Sequence, residues 1–185
     1  MHLHKMNTVM AGWTILLLLC WCIALGYSQE EVVLSYSVTE EALPNVFIGN
    51  VKQDSRLVEQ VPSEAYDSLT FSILNSEVGN GQYFSIGESD GILRTQNLLD
   101  RDLPNICYQE LTCQLRISIA VGPREYFRTI KVDLTVGDIN DNSPAFLNPN
   151  YDRSISESTN VGASFTIPTA DDPDSPQYGV KQYTL

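Results

Sequence analysis

The acidic residues of this sequence fall in groups rather than evenly. Glu40 stands alone, Asp100 and Asp102 form a pair, Asp138-Ile139-Asn140-Asp141-Asn142 alternates acids and amides, and Asp171-Asp172-Pro173-Asp174 closes the series. Side chains of this kind suit a hard divalent cation. Ca²⁺ takes about six to eight oxygens from carboxylates, carboxamides and backbone carbonyls, whereas Mg²⁺ keeps more of its water. A set so rich in carboxylates therefore favours Ca²⁺. An EF-hand loop does not fit. Asp138, Asn140 and Asn142 match its first ligands, but Ser143 replaces the turn glycine, Pro144 follows, and Pro149 stands where the bidentate Glu belongs. The plainer alternative for each group is a solvated acidic surface with Asx turns.

Overall charge points the same way. The 185 residues carry 11 Lys and Arg against 23 Asp and Glu, a formal charge of −12. Nucleic acids and anionic membrane surfaces repel such a chain, so no nucleic-acid partner is expected.

Residues 1–28 read as a secretory signal: His2, His4 and Lys5 precede the apolar run Ala11–Leu25, and small residues follow at Gly26 and Ser28. The run is shorter than the about 20 residues a membrane span needs. Cleavage is expected after Ser28. It would remove both His, both Trp, Cys20, Cys22 and Lys5, leaving 10 of the 11 basic residues against all 23 acids, a net of −13. A His base, a Cys–His pair or a His-ligated zinc is then excluded. Paired acids also serve glycosidases, but in a cleft with aromatic platforms; here the acids sit at the ends of chain segments and Trp is gone. No enzyme activity is expected. A second apolar stretch of spanning length is absent, so any membrane attachment would need a C-terminal anchor that this chain lacks.

Cys107 and Cys113 are the cysteines that remain, and in a secreted chain they most simply pair. Fully extended, the six steps between them would hold the two Cα atoms about 20 Å apart, whereas a disulfide needs about 7 Å or less. The segment must fold back as a tight loop. Two roles stay open: a stability staple, or the shaping of a surface loop for recognition.

The elements that would position these groups are strands. Leu69, Phe71 and Ile73 alternate with polar residues. So do Leu115, Ile117, Ile119 and Val121, and again Ile130, Val132, Leu134 and Val136. Such alternation marks half-buried strands. Further strands are expected at Val32–Val38, Val46–Val51, Tyr83–Ile86 and Ile92–Thr95, with turns at Ser89-Asp90-Gly91 and Gly122-Pro123-Arg124-Glu125. No stretch of useful length has a helical period. About seven strands fit an immunoglobulin-like β-sandwich, without the antibody pattern of a Trp between distant cysteines.

A boundary follows at residue 145, where Pro144 and Pro149 interrupt pairing. Tyr151-Asp-Arg-Ser-Ile-Ser-Glu157 then echoes Leu34-Ser-Tyr-Ser-Val-Thr-Glu40, an internal repeat that stops at Leu185 before a second sandwich could close.

Together the acidic groups resemble the cadherin repeat. Asp138-Ile-Asn-Asp-Asn-Ser-Pro-Ala-Phe146 matches the inter-repeat linker D-x-N-D-N-x-P-x-F at every fixed position. Leu99-Asp100-Arg101-Asp102 resembles L-D-R-E, with Asp102 in place of Glu, and Ala170-Asp171-Asp172-Pro173-Asp174 resembles A-x-D-x-D. The short Cys107–Cys113 loop, with Ser37-Val-Thr-Glu-Glu-Ala-Leu43 and Val46-Phe-Ile-Gly-Asn50 ahead of it, is similar to the N-terminal part of a non-clustered, δ-type protocadherin.

The resemblance implies an all-β, Greek-key sandwich repeat over residues 29–145, followed by the start of a second, truncated repeat over 146–185. It implies about three Ca²⁺ ions between them. Glu40, Asp100, Asp102 and Asp141 would hold the outermost. Glu40, Asp102, Asp138, Asp141, Asp174 and the Ile139 carbonyl would hold the middle one. Asn140, Asp172, Asp174 and the carbonyls of Asn142 and Tyr178 would hold the innermost. The implied function is Ca²⁺-dependent homophilic adhesion at the extracellular face of the plasma membrane, the partner being the same or a related cadherin on an opposing cell. A soluble secreted decoy is the alternative if this chain is the complete product.

Overall fold

A computed structural model describes residues 31–184, so the expected signal at 1–28 lies outside the described residues. Within Val32–Leu185, a single compact unit, seven strands form two sheets: β1 Val33–Thr39, β2 Phe47–Asn50, β3 Thr70–Ile73, β4 Phe84–Ile86, β5 Ile92–Thr95, β6 Cys113–Gly122 and β7 Arg128–Gly137. One sheet has the order β1-β7-β6-β3 and the other β2-β5-β4. The chain crosses between sheets after β1, β2, β3 and β5, which is the all-β sandwich expected from the alternating pattern. Two four-residue helices, α1 Val51–Asp54 and α2 Ser63–Tyr66, lie between β2 and β3.

The alternation builds the core directly. Along β6 the residues Cys113, Leu115, Ile117, Ile119 and Val121 turn inward; along β7 Ile130, Val132, Leu134 and Val136 do the same. Antiparallel register sets Leu115 opposite Leu134, Ile117 opposite Val132 and Ile119 opposite Ile130. Phe84 and Leu93 of the other sheet, with Val51 and Leu57 from the connecting segment, complete the same buried cluster. On the outer face Arg116 and Asp133, also paired across the strands, form a two-pronged ion pair with a 2.8 Å Nη2–Oδ2 contact. The Ser89-Asp90-Gly91 turn joins β4 and β5. Gly91 has φ +66°, and a Cβ there would meet Lys52 at 2.7 Å, so both conformation and space require glycine.

Two strands of the larger sheet run in parallel. β1 pairs with β7 from Val33↔Lys131 to Thr39↔Gly137, a register that alternation alone does not specify. Beyond residue 145 the described chain forms no named strand; Ala145 and Asp171 make an isolated antiparallel bridge. The apolar residues Phe165, Ile167 and Tyr183 remain partly exposed, with Tyr183 against Phe146 and Phe165 under Arg153.

Ile119 is fully buried at the centre of this core. Ile119→Ala should lower stability by about 2–5 kcal/mol through lost burial and the cavity it leaves. Leu147→Ala, at a position 93% exposed, should change it by less than about 0.5 kcal/mol. Chemical denaturation midpoints check both.

Candidate metal centre

Parallel pairing is what assembles the acidic site. Two parallel strands leave a sheet at the same end, and β1 and β7 finish opposite each other at Thr39 and Gly137. The next residues, Glu40 and Asp138, are thus neighbours in space. Glu40 is buried. Its amide donates to the Gly137 carbonyl (2.9 Å), its Oε2 accepts from the Arg101 amide (2.9 Å) and its Oε1 from the Ile139 amide (2.9 Å). One carboxylate therefore ties three chain segments together.

The Leu99–Asp102 segment enters after β5, anchored by buried Leu99. Asp100 Oδ1 accepts from the Asp102 amide (3.0 Å), an Asx turn that fixes Asp102 in the site. From the opposite side the Ala145–Asp171 bridge brings in the later acids through two hydrogen bonds of 2.8 Å. There Asp172 Oδ1 accepts from the Asp174 amide (3.3 Å), a second turn of the same kind.

The result is two overlapping carboxylate groups. Oxygens of Glu40, Asp102 and Asp138 lie within 4.8 Å of one another, and so do those of Asp102, Asp141 and Asp174. Asp102 belongs to both. The Asn142 carboxamide sits among them, with Nδ2 at 2.8 Å from Asp102 Oδ2 and 2.9 Å from both Asp141 Oδ1 and Asp174 Oδ1. That is three acceptors for two hydrogens. The Ser175 amide donates to Asp138 Oδ2 (2.9 Å).

Three oxygens are left over. Asp102 Oδ1, Asp138 Oδ1 and Asp174 Oδ2 are buried and accept no hydrogen bond. Arg101 is the positive charge beside them, fully buried, with Nε 3.7 Å from Asp102 Oδ1 and 3.9 Å from Asp138 Oδ1. Those distances are ion pairs but too long for hydrogen bonds. The guanidinium instead donates to the carbonyls of Val136 and Glu110. Unpartnered buried carboxylate oxygens are costly, and a divalent cation would supply what these three lack. The donor set thus fits a hard cation.

Burial also changes the acids themselves. Desolvation pushes the Glu40 carboxyl up to about 7, opposed by its two backbone donors and reinforced by Asp138 and Asp102. Desolvation likewise raises Asp102 to about 7, with repulsion from Asp138, Asp174 and Asp141 adding to it and Arg101 opposing.

Most residues expected from the sequence meet here. Glu40, Asp102, Asp138, Asp141 and Asp174 form the two groups. Asp100, Ile139, Asn142 and Asp172 adjoin them through the hydrogen bonds above. Asn140 is exposed, and among the described residues no hydrogen bond ties its side chain to the cluster. Tyr178 is also exposed, its amide donating to the Ser175 carbonyl (2.8 Å). Cys107 and Cys113 form a disulfide with Cα atoms 5.5 Å apart. Sequence reasoning missed Arg101 and Ser175. Only Arg101 left a signal, as a basic residue between two of the acids.

No family model matches the chain. Individual proteins do. It is 33% identical to protocadherin gamma-C5 of Homo sapiens over 176 residues, which cover 94% of this chain and 17% of that protein. It is 29% identical over 181 residues to protocadherin-11 X-linked of Homo sapiens, covering 96% of this chain and 13% of the other. A crystal structure of protocadherin gamma C5 EC1-3 matches with a TM-score of 0.67 at 32% identity, over 82% of this chain and 45% of that one. The chain thus spans only 13% to 17% of the length of these curated relatives, which include gamma protocadherins and the δ-type protocadherin-11. With the sandwich and the linker motif, these matches support the cadherin superfamily for this chain. Members of that family are adhesion proteins and not enzymes.

The raised carboxyls predict an inverted pH dependence without metal. Between their ordinary values and about 7, Glu40 and Asp102 hold protons in the fold that the unfolded chain has released. Stability must then fall as pH rises through that window. In chelator, Tm should drop between about pH 5 and pH 7.5. Asp102→Asn should flatten the drop. Thermal unfolding across that range checks it, and a Tm that rises with pH would contradict it.

Proposed function

We propose that this chain is the N-terminal segment of a Ca²⁺-dependent, homophilic adhesion ectodomain. In it, residues 29–145 form one repeat, 146–185 begin the next, and Ca²⁺ rigidifies the junction. The observation that carries this reading is the trio of buried carboxylate oxygens without donors, Asp102 Oδ1, Asp138 Oδ1 and Asp174 Oδ2, contributed by three different chain segments. Cations in the two overlapping groups, which share Asp102, would fasten those segments together.

Glu40, Asp102, Asp138, Asp141 and Asp174 supply carboxylates. Asp100 and Asp172 flank them, and the Ile139, Asn142 and Tyr178 carbonyls with the Asn140 side chain complete about three ion sites. Ca²⁺ supplies charge neutralisation and multiple oxygen bonds when bound. The chain's own contribution is to hold the acids convergent while Arg101 balances part of their charge. Without a cation their repulsion loosens the junction. Extracellular modules bind Ca²⁺ with Kd of about 10⁻⁴–10⁻³ M. A site of ~0.1 mM affinity stabilises by about 1.4 kcal/mol at millimolar Ca²⁺, which suits a structural fastener.

Similarity to protocadherins supports adhesion as the use of that fastener. The partner is a second copy or close relative on an opposing cell, and the location is the extracellular face of the plasma membrane, as part of a longer receptor.

Asp141→Ala tests the site with little risk to the fold, because Asp141 is exposed. Calorimetric titration should give Ca²⁺ affinity weakened roughly tenfold or more, as expected when charged ligands are removed. Cells displaying the chain within its full receptor should aggregate in Ca²⁺ and disperse in chelator. Unchanged affinity in the variant, or aggregation indifferent to Ca²⁺, would sink the reading.

A further inference from the structure

The ring closed by the Cys107–Cys113 disulfide lies beside the metal centre. It is fixed to the core at several points. Cys113 opens β6 opposite Val136 of β7, the Cys107 amide donates to the Arg101 carbonyl (2.9 Å), and the Arg101 guanidinium donates to the Glu110 carbonyl. Residues inside so small a ring have little freedom, and two of them reach the acidic segment Asp171–Asp174.

Gln109 has φ +55°. Its amide donates to the Pro173 carbonyl (3.3 Å). Its Nε2 donates to Asp171 Oδ1 (2.9 Å) and to the Asp172 carbonyl (2.8 Å), which uses both hydrogens of the carboxamide. The Tyr108 hydroxyl donates to Asp171 Oδ2 (2.5 Å). Both oxygens of Asp171 are thereby occupied, and Asp171 belongs to neither carboxylate group. Its neighbours Asp172 and Asp174 are left to face the site, and a cleft lined by Gln109, Asp172 and Asp174 opens there.

We infer that the disulfide ring is a clamp: Tyr108 and Gln109 seize Asp171 and the Asp172–Pro173 backbone, and so preset Asp172 and Asp174 for a divalent cation before one binds. The positioning of the segment stands on the hydrogen bonds alone; its consequence for cation affinity rests on the Ca²⁺ reading above. In the absence of a cation, Asp174 is repelled by Asp102 and Asp141. The clamp's bonds oppose that repulsion from outside the carboxylate groups. Tyr108 and Gln109 are positioning residues, since they touch the ligand-bearing segment and not the cation.

The test uses the secreted chain, with Gln109→Gly, Tyr108→Phe and the double variant. Glycine accepts the positive φ at position 109, so Gln109→Gly removes the carboxamide without straining the ring. Hydrogen exchange is followed in chelator and in Ca²⁺, and Ca²⁺ titration is run alongside. For the double variant in chelator, amides of residues 171–175 should exchange about tenfold faster, in keeping with the loss of hydrogen bonds to a charged group. β6 and β7 should remain as protected as before. Ca²⁺ affinity should fall about tenfold. Residues 171–175 of the double variant exchanging in chelator as slowly as in the wild type would overturn the clamp. If the wild-type chain takes up no Ca²⁺, the calcium reading falls, and the exchange comparison in chelator still decides the clamp. If β6 and β7 lose protection in a glycine variant, Tyr108→Phe, which leaves the ring backbone untouched, decides it by the same readout.

Discussion

Five carboxylates share one small volume with one guanidinium, and that imbalance governs the rest of the structure. Glu40, Asp102, Asp138, Asp141 and Asp174 converge on overlapping positions, while Arg101 is the cation buried among them. Like charges at these separations repel strongly in a partly desolvated place. The chain meets the problem with backbone donors on Glu40, Asx turns at Asp100 and Asp172, the Asn142 carboxamide and the Arg101 charge. These devices still leave three buried oxygens without a donor. Protonation can relieve part of the imbalance and a divalent cation can relieve more. Protonation or a bound cation would each lower the repulsion among these acids.

How the fold creates that place follows from strand direction. The inward rows on β6 and β7 form the sandwich core. Only the parallel pairing of β1 with β7 puts Glu40 beside Asp138. The same end of the sandwich receives Asp102 from the loop after β5 and the later acids from the segment bridged at Ala145. Acids remote in sequence thus meet because several elements finish at one end of one sandwich. The stable core carries the site without taking part in it.

Much of this was legible in the sequence. Strict alternation in 115–121 and 130–136 marks β6 and β7 because each has one face in a core. The Asp138–Phe146 linker marks the site because its spacing of acids and amides has few other uses. What could not be read was direction and contact. A period of two residues is the same for parallel and antiparallel strands, so the β1–β7 pairing was hidden. Arg101 stood in the sequence only as part of the Leu99–Asp102 motif, and nothing in that motif reveals that its guanidinium is buried. The two cysteines gave a loop, but nothing in Tyr108 or Gln109 foretold that it would grip Asp171. The exposed position of Asn140 was equally invisible, because its neighbours in the linker alternate in type but not in burial.

The most direct test is where cations sit. Crystals of the protein grown in Ca²⁺ would give an anomalous difference map at the end of the sandwich. The account predicts ions about 2.3–2.6 Å from Asp102 Oδ1, Asp138 Oδ1 and Asp174 Oδ2, with Glu40 and Asp141 completing their shells. Anomalous peaks elsewhere, with these three oxygens bonded to water or to protein donors, would contradict it.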